Sequence, residues 1–119
     1  MRLYLDISRK PGDTTISDQL VKRFCRQFEE TQWPVGKPIS EIYYDPRALD
    51  LDRKKVAILH AKCIVIDCES VFVSSANFTE AAQLKNIEIG LLLKSQAVAE
   101  RITRFLDSLV GASRLVRAN

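Results

Sequence analysis

The stretch Leu59–Asn77 reads LHAKCIVIDCESVFVSSAN, and it decides how the chain is read. Ile58 to Ile66 is almost unbroken apolar and β-branched sequence, which predicts a strand buried in a sheet. Side chains alternate along a strand, so His60 and Lys62 share a face. Asp67-Cys68-Glu69-Ser70 interrupts the run with turn formers. Val71 to Ser75 predicts a return strand and therefore a hairpin. Ser75 and Asn77 share a face by the same period. An imidazole, an ammonium, a hydroxyl and a carboxamide would then converge at one end of a sheet. Such a set can attack, neutralise and hold a phosphate.

These residues resemble the HKD motif of the phospholipase D superfamily: His-x-Lys-x-x-x-x-Asp, six residues, then Gly-Ser-x-Asn. His60, Lys62, Asp67, Ser75 and Asn77 stand at the required offsets, and Ser74 replaces the usual glycine. The run SSANFTEAAQLKNIEIG resembles, more narrowly, the end of the phospholipase D-like protein of bacterial DISARM phage-defence systems. The resemblance implies an α/β fold, a mixed sheet flanked by helices, in a phospholipase D-like half domain. It also implies a metal-independent phosphodiesterase working through a phosphohistidine on His60. Lys62 and Asn77 would bind the non-bridging oxygens, where charge builds in the transition state. Ser75 would support them or hydrogen-bond Glu88. Glu88 matches the downstream acid that holds the nucleophilic histidine, and a carboxylate in an apolar strand needs such a partner. Asp67 takes a structural role at the hairpin end. No cofactor or metal is implied.

One histidine cannot be nucleophile and general acid in the same step. The family uses two facing motifs, so the second copy would come from a homodimer or from a missing N-terminal half. The expected organisation is one domain over residues 1–119. The strand and helix that usually open a family half are expected to be missing from it.

Composition sets wide bounds. Apolar residues make up 46% and charged residues 28%, as in globular domains, and the net charge is +3. The run Arg53-Lys54-Lys55 precedes the motif strand and is a candidate contact for a nucleic-acid backbone. Three cysteines without paired spacing, Cys25, Cys63 and Cys68, argue against a disulfide framework or zinc site and for a cytoplasmic protein. No run reaches membrane-spanning length, and no membrane partner is expected. The expected function is a nuclease. The alternatives are an inactive subunit or scaffold of a larger defence complex, and a phospholipase.

Outside the motif, strands are expected at Arg2–Ser8, Glu41–Tyr44, Asn86–Leu93 and Arg114–Val116. Helices are expected from an N-cap at Ser17 to about Thr31, from an N-cap at Thr79 to about Lys85, and from an N-cap at Ser95 to about Val110. The last helix would bury Val98, Ile102, Phe105, Leu106 and Leu109.

Overall fold

The computed structural model describes residues 1–76 and 86–119. The expected helix from Thr79, and Asn77 with it, lie outside the described residues. The elements in order are β1 (Arg2–Tyr4), α1 (Ser17–Gln32), β2 (Glu41–Tyr44), a 3₁₀ turn (Pro46–Leu49), β3 (Cys63–Ile66), β4 (Ser70–Ser74), β5 (Gly90–Lys94), α2 (Gln96–Gly111) and β6 (Val116–Arg117). This is an α/β chain with mixed and antiparallel sheets. It divides into two compact units, residues 1–60 with 112–119, and residues 61–111.

In the first unit β1 and β2 are parallel, with Leu3 opposite Ile42. Parallel neighbours need a crossover, and α1 supplies it. On its other edge β2 pairs antiparallel with β6, Tyr44 opposite Val116. Ile7, Leu20, Val21, Ile42 and Leu49 form the buried core, with Phe24 and Phe28 of α1 packed against it. Leu20, Val21, Phe24 and Phe28 recur at helical spacing and make the apolar stripe of α1.

Local chemistry shifts several boundaries. The first strand ends at Tyr4 rather than Ser8, because only Leu5 N–H still reaches the ladder, 2.9 Å from Tyr43 O. Ser17 is not the N-cap: the helix begins on it, Ile16 holds the cap position, and no side chain caps the turn. The Ser17 hydroxyl instead accepts from the Arg9 guanidinium at 3.1 Å. Trp33 leaves the helix in extended conformation, as expected of a residue before proline. Its ring lies 6.0 Å from that of Phe28, an aromatic in the loop packed on the helix.

The second unit is a three-stranded antiparallel sheet, β3-β4-β5, with α2 packed on β3 and β4. Asp67-Cys68-Glu69 is a three-residue connection between the paired residues Ile66 and Ser70. Asp67 and Cys68 have positive φ, 50° and 54°, and Glu69 N–H donates to Ile66 O at 2.9 Å. Across this turn the register is Cys63↔Val73 and Val65↔Val71. Ser74 stands opposite Gly90 in the next pair. A Cβ on Gly90 would meet the Phe72 ring at 2.7 Å, so the aromatic lies over the glycine.

The motif strand is shorter than the one expected from Ile58: regular pairing begins only at Cys63. Lys62 O still accepts from Ser74 N–H at 3.0 Å. Earlier residues are drawn elsewhere, with Ala57 N–H on Arg47 O at 3.4 Å and Leu59 N–H on the Asp6 carboxylate at 3.4 Å. β5 likewise begins at Gly90 rather than Asn86, and the last strand is Val116–Arg117 rather than Arg114–Val116. Ser95 caps α2 as expected, its hydroxyl accepting from Val98 N–H at 3.4 Å. The buried stripe of α2 is turned by about one residue from the expected one. Ala99 is fully buried, while Phe105 is 60% exposed and Val98 37%.

Candidate active site

The β3–β4 hairpin sets the motif. Lys62 is half-buried one residue before β3 and, by register, lies opposite Ser74. Across Ser74 the next strand offers Gly90, so a lysine, a serine and a glycine form one row over three strands. Asp67 is exposed in the left-handed region at the first position of the turn, which asparagine and aspartate tolerate better than most residues. His60 is exposed and is the last residue of the first unit before the chain returns.

The other half of the motif is tied to the approach to β5. Ser75 N–H donates to Ile89 O at 3.0 Å, and Ile89 N–H donates to the Ser75 hydroxyl oxygen at 3.1 Å. The same hydroxyl donates to Glu88 Oε2 at 2.5 Å. Asn86 Nδ2 donates to the other carboxylate oxygen at 3.3 Å. Of the two roles expected for Ser75, the structure therefore contains the bond to Glu88. Ser74 does not take the positive φ open to glycine. Its hydroxyl accepts from Ala76 N–H at 3.0 Å, a local turn bond that glycine lacks.

The basic run sits on a chain of caps. Asp45 is buried, accepts from Arg47 N–H at 2.9 Å and opens the 3₁₀ turn. The Arg47 guanidinium grips the same carboxylate at 2.6 and 3.0 Å and holds its pKa below the usual range. Asp50 then accepts from Asp52 N–H at 2.8 Å, and Asp52 from Lys54 N–H at 3.0 Å. These bonds present Arg53, Lys54 and Lys55 on an exposed bend, with Lys55 Nζ 3.9 Å from Asp52.

Burial pushes the Cys63 and Cys25 thiols up, away from the thiolate form a nucleophile requires. Among the described residues no group of three or more His, Cys, Asp or Glu side chains converges as a metal site would.

Arg9 went unrecognised in the sequence. Its guanidinium donates to Leu49 O at 2.9 Å, Asp13 O at 2.9 Å and Thr15 O at 2.6 Å. It binds the loop before α1 to the 3₁₀ turn ahead of the basic run. A lone arginine before a Pro-Gly turn gives no periodic signal, so only the fold shows this role.

Residues 14–110 match the family described as cardiolipin synthase, phospholipase D-like domain. The chain belongs to that family and so to the phospholipase D superfamily. Among curated proteins it is similar to cardiolipin synthase C of Escherichia coli (strain K12), 39% identical over 62 residues. That match covers 51% of this chain and 13% of the relative, so the shared segment is a small part of the longer protein. No solved structure matches the chain significantly.

Proposed function

We propose that the chain supplies one half of a metal-independent phosphodiester-cleaving site that works through a covalent phosphohistidine. The observation that carries this is the spacing of His60, Lys62, Asp67, Ser75 and Asn77, with the first part carried into a tight β-hairpin. A ring nitrogen of His60 attacks phosphorus, the P–N bond forms, and the bond to the leaving oxygen breaks. The Lys62 ammonium and the Asn77 amide stabilise the charge on the non-bridging oxygens. Glu88, held by Ser75, orients the imidazole and fixes its tautomer. The leaving oxygen takes its proton from a second histidine, supplied by His60 of a second copy or by another half of a longer protein. That histidine then deprotonates the incoming water, the P–N bond breaks, and His60 is regenerated.

For substrate we favour nucleic acid, because the exposed Arg53-Lys54-Lys55 bend has the charge for a phosphodiester backbone. A phage-defence nuclease would accord with the resemblance of residues 74–90. The similarity to cardiolipin synthase C supports a second reading, phosphatidyl transfer on phospholipid. The test offers the protein a phosphorus-labelled single-stranded oligonucleotide and labelled anionic phospholipid vesicles, then quenches in alkali. Acid-labile label retained on the oligonucleotide arm, and lost in His60→Ala, is expected. Label from vesicles alone establishes the second reading. Label from neither, in an assembled protein, leaves an inactive scaffold and overturns the proposal.

A further inference from the structure

The first unit contains a cleft of about 380 Å³ between the loop before α1 and the segment leading to the motif. One wall is the Lys10-Pro11-Gly12-Asp13 turn, closed by Asp13 N–H on Lys10 O at 3.1 Å. The other runs from Asp50 to Val56. Arg9 locks the first wall through main-chain carbonyls, so its donors are committed while its charge remains in the wall.

The acids bordering the cleft are already engaged. Asp13 accepts from the Thr15 hydroxyl and pairs with Arg23 at 3.2 Å. Asp50 accepts from the Asp52 amide. Lys10 and Arg53 are both exposed, one on each wall of the cleft. Beside these cations Pro11, Leu51 and Val56 give the walls apolar surface. Leu51 is 67% exposed and Val56 is half-buried. Ligand clefts commonly run from about 300 to 1,000 Å³, so this one suits a nucleotide-sized group and excludes a duplex.

We propose that this cleft binds one nucleotide unit of a single-stranded nucleic acid, its phosphate between Lys10 and Arg53 and its base against Leu51 and Val56. The proposal rests on the nucleic-acid reading above and deepens it, because Arg53 belongs to the basic bend and Lys10 adds a cation from a distant part of the sequence. Phosphate contacts of this kind make binding depend on salt, by about 0.7 in log K per log salt for each neutralised phosphate of a single strand.

The experiment measures binding of a fluorescent single-stranded oligonucleotide at several salt concentrations. The proteins are His60→Ala, which blocks turnover, and the same protein carrying Lys10→Ala/Arg53→Ala. A Lys22→Ala/Arg26→Ala pair on α1 removes equal charge away from the cleft. The cleft variant is expected to bind at least tenfold more weakly at low salt, with a slope shallower by about 0.7 for the one phosphate lost, while the α1 pair changes binding less than threefold. If the cleft variant fails to fold, Leu51→Glu on the exposed wall is expected to weaken binding at least tenfold, and unchanged binding by it overturns the proposal. Equal losses from both charge pairs, an unaltered slope, or no oligonucleotide binding by His60→Ala also overturn it. The same proteins are also titrated with anionic phospholipid vesicles, and loss of vesicle binding by the cleft variant with oligonucleotide binding intact overturns the proposal too. Turnover is read separately: cleavage of the oligonucleotide with an unaltered slope removes the cleft and leaves the nuclease. A shallower slope without cleavage keeps the cleft and removes the nuclease.

Discussion

The Ser75 hydroxyl donates to the Glu88 carboxylate at 2.5 Å, while its oxygen accepts from Ile89 N–H at 3.1 Å. One side chain therefore fixes both the strand approaching β5 and the acid on it. Asn86 holds the second carboxylate oxygen at 3.3 Å. In the proposed mechanism Ser75 is a positioning residue, acting on the imidazole through Glu88.

Ser75→Ala is accordingly expected to lower turnover by roughly ten- to a hundredfold, by analogy with the loss when an outer partner that orients a metal-bound histidine is removed. KM should change little, and the acid limb of the pH profile should move. Ser75→Thr, which keeps the hydroxyl, should recover most of the loss. If Ser75→Ala shifts only the melting temperature and leaves turnover and pH profile unchanged, the hydroxyl is structural alone. His60→Ala should abolish turnover, and Cys63→Ser should spare it.

Much of this arrangement was legible in the sequence. Asp67 to Ser70 read as a turn because those residues favour one, and period two set the two hairpin strands. The buried stripe of α1 followed from helical spacing. What was not legible depends on contacts between distant residues. The motif strand is short because Leu59 N–H bonds Asp6, and no local pattern encodes that contact. Arg9 works through carbonyls, which every residue has. On α2 several alternative faces are apolar, and the close packing of Ala99 chose between them.

The loop before α1 has an acid-sensitive joint. The Thr15 hydroxyl and amide, and then Arg23, bring the Asp13 pKa down from 3.8 to about 2. An acid depressed in the folded state stabilises the fold above its unfolded pKa, and that contribution is lost as pH falls to the folded value. Thermal melts from pH 5 to pH 2 should therefore lose stability progressively below about pH 4, and Asp13→Asn should flatten that part of the curve. A curve unchanged by the substitution would show that Asp13 contributes nothing to acid sensitivity.

Cys68 occupies the β3–β4 turn with φ 54°, where a non-glycine residue is strained. Cys68→Gly should relieve that strain and stabilise the protein by about 0.5–1 kcal/mol, less the entropy glycine adds to the unfolded chain. Cys68→Val, β-branched, should destabilise it by more than about 1 kcal/mol. Denaturant titration of both variants checks the ordering. The reverse order would mean that the turn takes another form in solution.

The proposed chemistry requires two imidazoles, and this chain has one. General acid help is worth about 10²- to 10⁴-fold, and removal of a nucleophile should cost more. A site shared between two copies then has a distinctive signature. In a mixed dimer of wild type and His60→Ala, one imidazole remains, and it cannot both attack and protonate the leaving oxygen in the same step. Adding mutant to a fixed amount of wild type should suppress activity well below the level set by wild type alone. With free exchange and equal amounts, only about a quarter of dimers keep both histidines by random pairing of identical copies. Activity per wild-type chain should thus fall to about half under those conditions. Chelation should leave it unchanged, since lysine and amide stabilise the phosphoryl charge without a bound cation. Exchange is verified by energy transfer between differently labelled chains. Activity that follows wild-type concentration alone, in chains shown to exchange, would place both proton-transfer groups within one copy and reject the shared site.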